Sequence, residues 1–536
     1  MSKTLSSKFV ESFLIRTNDP NRKLWLHRFL VLLLTFIVYT IYHMSRKPMS
    51  VVKSRLFNGN VTDHQNNWPP FDGSNANTFL SILDGAYWGT YAIGMFFTGF
   101  LAERSNLRYF LSISLSICGL LCIVSGSAFY LKIHSLWFFI ITQVLTGLAE
   151  STGWPAVLAI MGGWFGSTKK GFIFGIWSLH TSVGNMLGTT IAGIFVDFNW
   201  GLSFIVPGLL CIIISIVIFF LLVEKPSDVD LIVNMTLPDD NRQMKLSDEE
   251  SITNTVSTIS LSSTIDSKIV KNSSSSSSSS LSTKKSESNS LKSSSSSTTT
   301  SSEPIGIWDA LFIPGVIEFS ICLFFTKSVS YIFLTWLPKF ISTTNRIPAS
   351  ESAYISIMFD IGGSVGSIMA GLMSDIINAG GITCIIFLLM AIPSLFLLAH
   401  FSSISLAINL ALQFMAGFFI NGPYSLIITS VSANLACTVP SKAATATISA
   451  IIDGTGSIGA AIGPAITGPL SDYFTWNSVF YLCMVGDFIA ACCLVRVAWN
   501  EWKRNHCSIL KRCNSSISND DYLSSSIQSD EKQIVS

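Results

Sequence analysis

The chain has 536 residues, 49% of them hydrophobic and only 12% charged, with a formal net charge of +1. Soluble domains carry about a quarter charged residues, so this composition is that of a membrane protein. The near-neutral balance leaves no electrostatic footprint for nucleic acid, and nothing in the composition implies a cofactor.

A spanning helix needs about 20 apolar residues. Twelve such runs are present, near 27–49, 79–101, 107–131, 135–158, 170–196 and 200–223, then 313–338, 352–376, 381–401, 404–433, 443–470 and 475–497. The N-terminus lacks a cleavable-signal pattern, so the first run reads as a signal anchor. The organisation expected is all-α: an N-tail (1–26), a six-helix bundle (27–223), a linker (224–308), a second six-helix bundle (309–498) and a C-tail (499–536). The linker holds eight consecutive serines at 273–280 and cannot bury enough apolar surface to fold. As a flexible tether it reaches about 50 Å. The eleven cysteines, such as Cys118, Cys122, Cys211, Cys492, Cys493, Cys507 and Cys513, lie in or beside apolar runs or in the tail, at no spacing that suggests a metal site or a paired framework.

Lysines and arginines in short flanks set the orientation. Lys3, Lys8, Arg16, Arg22, Lys23 and Arg28, then Arg104, Arg108, Lys169, Lys170, Lys442, Lys503, Arg504, Lys511 and Arg512 share one side if both termini are cytosolic. Lys53, Arg55, Lys132, Lys339 and Arg346 mark the other side. Asn60-Val61-Thr62 then faces away from the cytosol as an N-glycosylation acceptor, while Asn234 and Asn272 fall in the cytosolic linker.

The two halves repeat one pattern. Gly94, Gly99 and Glu103 recur, all at one offset, as Gly366, Gly371 and Asp375. Gly184, Gly188 and Gly193 recur as Gly459, Gly463 and Gly468, at a shared offset only slightly larger than the first. Small residues let membrane helices approach closely. The nearly constant offset indicates a duplicated six-helix unit, the architecture of a rocking transporter with a midplane site. Glu103, with Arg104 and Arg108 in the short loop beyond it, and Asp375 are candidates for a gate that latches one state; solvated interfacial charge is the plainer reading.

The chain resembles the sugar-phosphate exchanger family, the organophosphate:phosphate antiporter branch of the major facilitator superfamily, over essentially all twelve spans. The carrying motifs are YHMSRKPMSVVKSRL in span 1, ERSNLRYFL after span 2, GWPAV in span 4, HTSVGN in span 5, GLSFIVPG in span 6, IPGVIEFSICLFF and FLTWLP in span 7, NGPYSLI in span 10 and IIDGTGSIGAAIGP in span 11. The resemblance implies alternating-access exchange of a sugar phosphate such as glucose 6-phosphate for inorganic phosphate, by a monomeric multi-pass glycoprotein of the endoplasmic reticulum membrane that is not an enzyme.

Within that frame, cations in an apolar run are expected to line a cavity and meet an anion. Arginine offers a phosphate a planar, always-charged fork. Arg46 stands where the family's span 1 phosphate-binding arginine stands. Lys47 is a second phosphate candidate, with snorkelling toward headgroups as its plainer reading. Bacterial relatives carry another arginine six residues before a span 7 tryptophan; the matching position before Trp336 is Ser330, and Lys327, one turn earlier, is the replacement candidate, pairing with Glu318 or another acid being the alternative. His180 is one residue short of the family's histidine register, which falls on Thr181.

Glu150, Asp360 and Asp453 also interrupt apolar runs and are candidates to pair with the cations in the empty carrier, to bind sugar hydroxyls or to carry a proton. Tyr39, Tyr42, Tyr331 and Trp154 are aromatic candidates for the sugar wall. Buried cations left unpaired in the empty carrier would make exchange obligatory. The competing readings are a proton-coupled organic-anion transporter and a non-transporting scaffold or sensor.

Overall fold

The computed structural model describes residues 5–15, 17, 19–57, 59, 67–165, 177–231, 307–432, 435 and 444–534; among them there is no strand. Asn60, Asn234, Asn272, Arg16, Lys169, Lys170, Lys442 and most of the serine-rich linker lie outside these residues, as does the Glu103 side chain.

Over their described residues, the expected runs are occupied chiefly by helix. α1 is Pro20–Leu56, started by Asp19, whose side chain accepts from the Asn21 amide at 3.0 Å. Its 37 residues give a length of about 55 Å, which overruns the expected segment at both ends and continues through Pro48. Lys53 and Arg55, expected in a flank, are therefore helical. α2 is Ala76–Arg104 and α3 is Leu107–Tyr130, with Asn106 capping the latter. α4 is Leu136–Phe165, interrupted at Ser151 and Thr152. α5 and α6 run as His180–Leu221 and divide at Asn199, whose φ of −156° and ψ of 83° break the helix.

The second half follows as α7 (Val316–Asn345), α8 (Ala349–Ile377), α9 (Gly380–Phe401), α10 (Leu406–Leu426, extended by a π turn at Ile427–Val431), α11 (Ala444–Tyr473) and α12 (Trp476–Ile534). Nine described elements are long and apolar enough to cross a membrane, the joined α5–α6 among them. α2 and α11 fall below that hydropathy because they face each other across the middle of the molecule, where the carbonyl of Asn77 lies against Gly468.

The repeat is visible contact by contact. Gly184 and Gly188 of α5 seat against Thr40 and Met44 of α1; Gly459 and Gly463 of α11 seat against Phe324 and Ser328 of α7. A side chain at any of the four would collide with the facing helix. Gly193 meets Ala353 on α8, and Gly468 meets Ser81 on α2, so the third glycine of each triplet reaches into the opposite half. Ser81 and Ala353 are themselves related by the offset that links Gly94 to Gly366. The same offset links Tyr87 to Phe359: Gly147 lies on the carbonyl of the first and Gly417 on that of the second.

The halves are also tied at the side away from the chain termini. Asp472 at the end of α11 accepts from the Thr78 amide and hydroxyl, both at 2.7 Å, in the first turn of α2. Its counterpart in the repeat, Asp197 of α5, accepts from the Ser350 amide at 3.3 Å and from the Ser350 hydroxyl, in the first turn of α8. Each carboxylate satisfies helix amides that have no intrahelical partner and meets the positive end of the helix dipole.

Candidate functional site

The repeat fixes the register of the two innermost helices. Thr40 and Met44 correspond to Phe324 and Ser328, and the same step carries Arg46 of α1 onto Ser330 of α7. Arg46 is buried, and its Nε donates to Glu150 Oε2. Glu150 closes its shell with the Tyr87 hydroxyl and with Ser45 Oγ at 3.1 Å. The guanidinium lies over Tyr91 at 5.0 Å and Trp88 at 5.7 Å, and Nη2 is buried with no hydrogen bond among the described residues. Cation–π contact with two rings holds the fork in place, and Nη2 remains an unmatched donor.

In the other half the same level is neutral: Ser330 Oγ donates to Asn421 Oδ1 at 2.6 Å. The cation sits one turn earlier. Lys327 Nζ holds Asp453 Oδ1 at 2.8 Å and Ser457 Oγ at 3.0 Å, below the ring of Tyr331 at 5.7 Å. Its partner is therefore Asp453; Glu318 instead caps the Gly315 amide at the start of α7 and pairs with Arg496. Tyr331 meets Trp88 edge to face, with centroids 4.6 Å apart. An aromatic bridge thus joins the Arg46 shell of one half to the Lys327 shell of the other.

Lys47 crosses between the halves, with Asp360 Oδ2 of α8 at 3.3 Å. Asn185 of α5 donates to the other Asp360 oxygen at 3.3 Å. Lys47 is buried, so the snorkelling reading does not describe it. His180 packs against Tyr39, Trp177 and His43, with Thr181 Oγ1 set between the two imidazoles at 3.2 and 3.4 Å. Trp154 joins this cluster through Tyr39, and the Tyr42 hydroxyl is held by Ser114 at 2.6 Å.

Arg46, Lys47 and Lys327 are thus matched by Glu150, Asp360 and Asp453. Of the two expectations, cations paired with these carboxylates or left bare in the empty carrier, the pairing is the one observed: burial makes a lone charge costly, and each cation has recruited a carboxylate. An anion that binds here competes with those carboxylates.

Beside Arg46 a small cavity, with room for about two water molecules, opens between α1, α2, α3, α4, α6 and α7, with Ser50, Asp84, Trp88, Gln143 and Thr146 on its wall. It is closed toward the far side by Lys53, which is fully buried, pairs with Asp84, donates to the Thr335 carbonyl at 3.3 Å and lies 4.1 Å over Trp336. Lys339 of α7 donates to the carbonyl of Phe57, the residue that ends α1.

The gate candidates lie at the opposite end. Arg104 stacks on Phe100 of its own helix and donates to that residue's carbonyl at 3.3 Å. Arg108 is buried over Tyr109 and Phe219, and Asp375 is exposed. Among the described residues none of these three bridges the halves in an ion pair or hydrogen bond; Asp197, Asp360 and Asp472 do make cross-half contacts.

Sequence reasoning passed over Lys53, Asp84, Gln143, Asn421 and the aromatic set Tyr87, Trp88 and Tyr91. Asp84 was findable, because it interrupts the second apolar run as Glu150 interrupts the fourth. Asn421 and Gln143 carry no charge and give no such signal.

Comparison with known proteins places the chain in a family. The family model described as Major Facilitator Superfamily matches residues 29–436 and 319–505. The Bos taurus protein named glucose-6-phosphate exchanger SLC37A2 is 41% identical over 496 residues, covering 89% of this chain and 96% of its own. The Homo sapiens glucose-6-phosphate exchanger SLC37A1 is 36% identical over 513 residues, covering 90% and 94%. Among solved structures, a bacterial homolog of the human lysosomal transporter Spinster, in an inward-facing and unoccupied conformation, superposes with a TM-score of 0.59 at 15% identity, over 90% of this chain and 97% of that one; this likeness concerns the fold.

Proposed function

The chain belongs to the Major Facilitator Superfamily, among its glucose-6-phosphate exchangers, and from that premise we propose that it carries a sugar phosphate of the glucose 6-phosphate type in exchange for inorganic phosphate. The observation that carries this reading is Arg46, a buried guanidinium that keeps an unbonded Nη2 beside a cavity between the two halves. A phosphate oxygen satisfies that donor and takes the place of Glu150, while Lys327 and Lys47 supply further positive charge. His180, beside His43, lends a polar edge to the same region. Rocking of the halves about the glycine seams alternates access, with Glu103, Arg104, Arg108 and Asp375 as gate residues of the state closed at the termini side.

In this reading the protein is a monomer of the endoplasmic reticulum membrane, its termini are cytosolic, and Asn60 on the lumenal side is glycosylated. The lysine and arginine bias of the short loops supports that orientation.

The experiment is counterflow in proteoliposomes. Vesicles loaded with phosphate are expected to accumulate labelled glucose 6-phosphate, and unloaded vesicles are not. Arg46→Ala should lower the rate about 100-fold, since losing a buried, hydrogen-bonded charge partner costs about 2–5 kcal/mol. Equal uptake into loaded and unloaded vesicles would refute the exchange.

One observation favours a second reading. Because Glu150, Asp360 and Asp453 neutralise the three cations, an incoming phosphate leaves the pocket with excess negative charge unless a carboxylate takes up a proton. Uptake driven by a pH gradient into vesicles without phosphate would favour proton coupling.

A further inference from the structure

The cavity beside Arg46 holds one polar side chain that nothing among the described residues engages. Ser45 donates to Glu150, Ser50 to the Leu334 carbonyl at 2.9 Å, and Asp84 holds Lys53. Ser125 and Thr146 donate to their own helices. Gln143 lines the same wall at 9% exposure and makes no hydrogen bond among the described residues. Its amide offers two donors and an acceptor and lines the cavity, where a ligand can supply the partner.

The position of Gln143 identifies that partner. It precedes Glu150 by seven residues, two turns of α4, so it lies on the same helix face about 10 Å farther toward the far side. A phosphate held at Arg46 does not reach it. The hydroxyl end of an extended hexose phosphate does.

We infer that the cavity is the sugar compartment of the exchange site and that the Gln143 amide reads sugar hydroxyls distal to the phosphate. The inference rests on the sugar-phosphate reading above and adds a specificity residue to it. A site built to hydrogen-bond a hydroxyl discriminates strongly against ligands that lack one there. Inorganic phosphate and short phosphate esters engage the Arg46 end alone.

The test uses full-length protein in phosphate-loaded proteoliposomes, with labelled phosphate homoexchange measured against unlabelled competitors. In Gln143→Leu, homoexchange should persist, competition by glucose 6-phosphate should weaken about tenfold, the worth of about one buried hydrogen bond, and competition by glycerol 3-phosphate should stay as in wild type. Unchanged competition by glucose 6-phosphate would overturn the inference, as would equal weakening of both competitors. If Gln143→Leu loses homoexchange, Gln143→Met, which keeps the length of the side chain, decides. Retained homoexchange with weakened glucose 6-phosphate competition upholds the assignment, and loss in both variants overturns it, because a reader of the sugar end has no part in moving phosphate. Absence of phosphate homoexchange from wild type is the separate result that breaks the exchange reading.

Discussion

Arg46 and Ser330 occupy one position in two copies of the same bundle, and the copies have diverged there in charge and in partner. The first holds an ion pair, Arg46 with Glu150, sealed under Tyr87, Trp88 and Tyr91. The second holds a neutral hydrogen bond, Ser330 with Asn421, and shifts its cation one turn, to Lys327, where the first half has His43. The glycine seams around both are the same, helix for helix. The scaffold is therefore symmetric while the charge on it is not. Under the proposed function, a doubly anionic group would be held at the fork of one half and steadied by a point charge from the other, giving the substrate a defined head and tail.

The largest effect should come from abolishing that difference. Ser330→Arg places a guanidinium opposite the neutral Asn421, and burying an unpaired charge should destabilise the protein by about 3–5 kcal/mol; adding Asn421→Glu, which recreates the first half's pair, should recover most of it. Thermal unfolding in detergent reads both. Glu150→Gln leaves Arg46 without its carboxylate and should cost about 3 kcal/mol. Phosphate should raise the melting temperature of this variant more than that of wild type, since the anion now fills an empty place; an equal rise in both would mean that Glu150 and phosphate do not compete. Lys327→Met removes the point charge and leaves the fork, so it should weaken phosphate binding about tenfold, less than Arg46→Ala does; a loss equal to that of Arg46→Ala would show that the halves contribute alike. Asp375→Asn, at an exposed position with no cross-half partner among the described residues, should change stability by less than about 0.5 kcal/mol.

Much of this was legible in the chain. The glycine offsets and the twelve apolar runs give the duplicated bundle, because membrane packing demands small residues where helices touch. Arg46, Lys327, Glu150, Asp360 and Asp453 stand out because charge inside an apolar run needs a reason. What stayed hidden is pairing. That Lys327 chooses Asp453 over Glu318, or that Lys47 reaches Asp360 rather than headgroups, depends on which helices face one another. Lys53 was misplaced because the apolar run fades near residue 49, whereas the helix continues through Pro48 to Leu56. The neutral partner of Ser330 gave no signal, since an asparagine in a membrane helix does not announce its role.

The carboxylates of Asp197 and Asp472 bind the first turns of α8 and α2 across the two halves. The Asp197 contact is exposed and the Asp472 contact half-buried, so water can replace either partner when the halves part. Opening on this side therefore exchanges hydrogen bonds instead of stranding a charge, and two such contacts set a modest bias of about 1 kcal/mol each toward the sealed form. Because dissolved ions screen a charge at a helix end, ionic strength becomes a dial on the resting population: a saltier medium tilts the carrier toward the form that is open on that face.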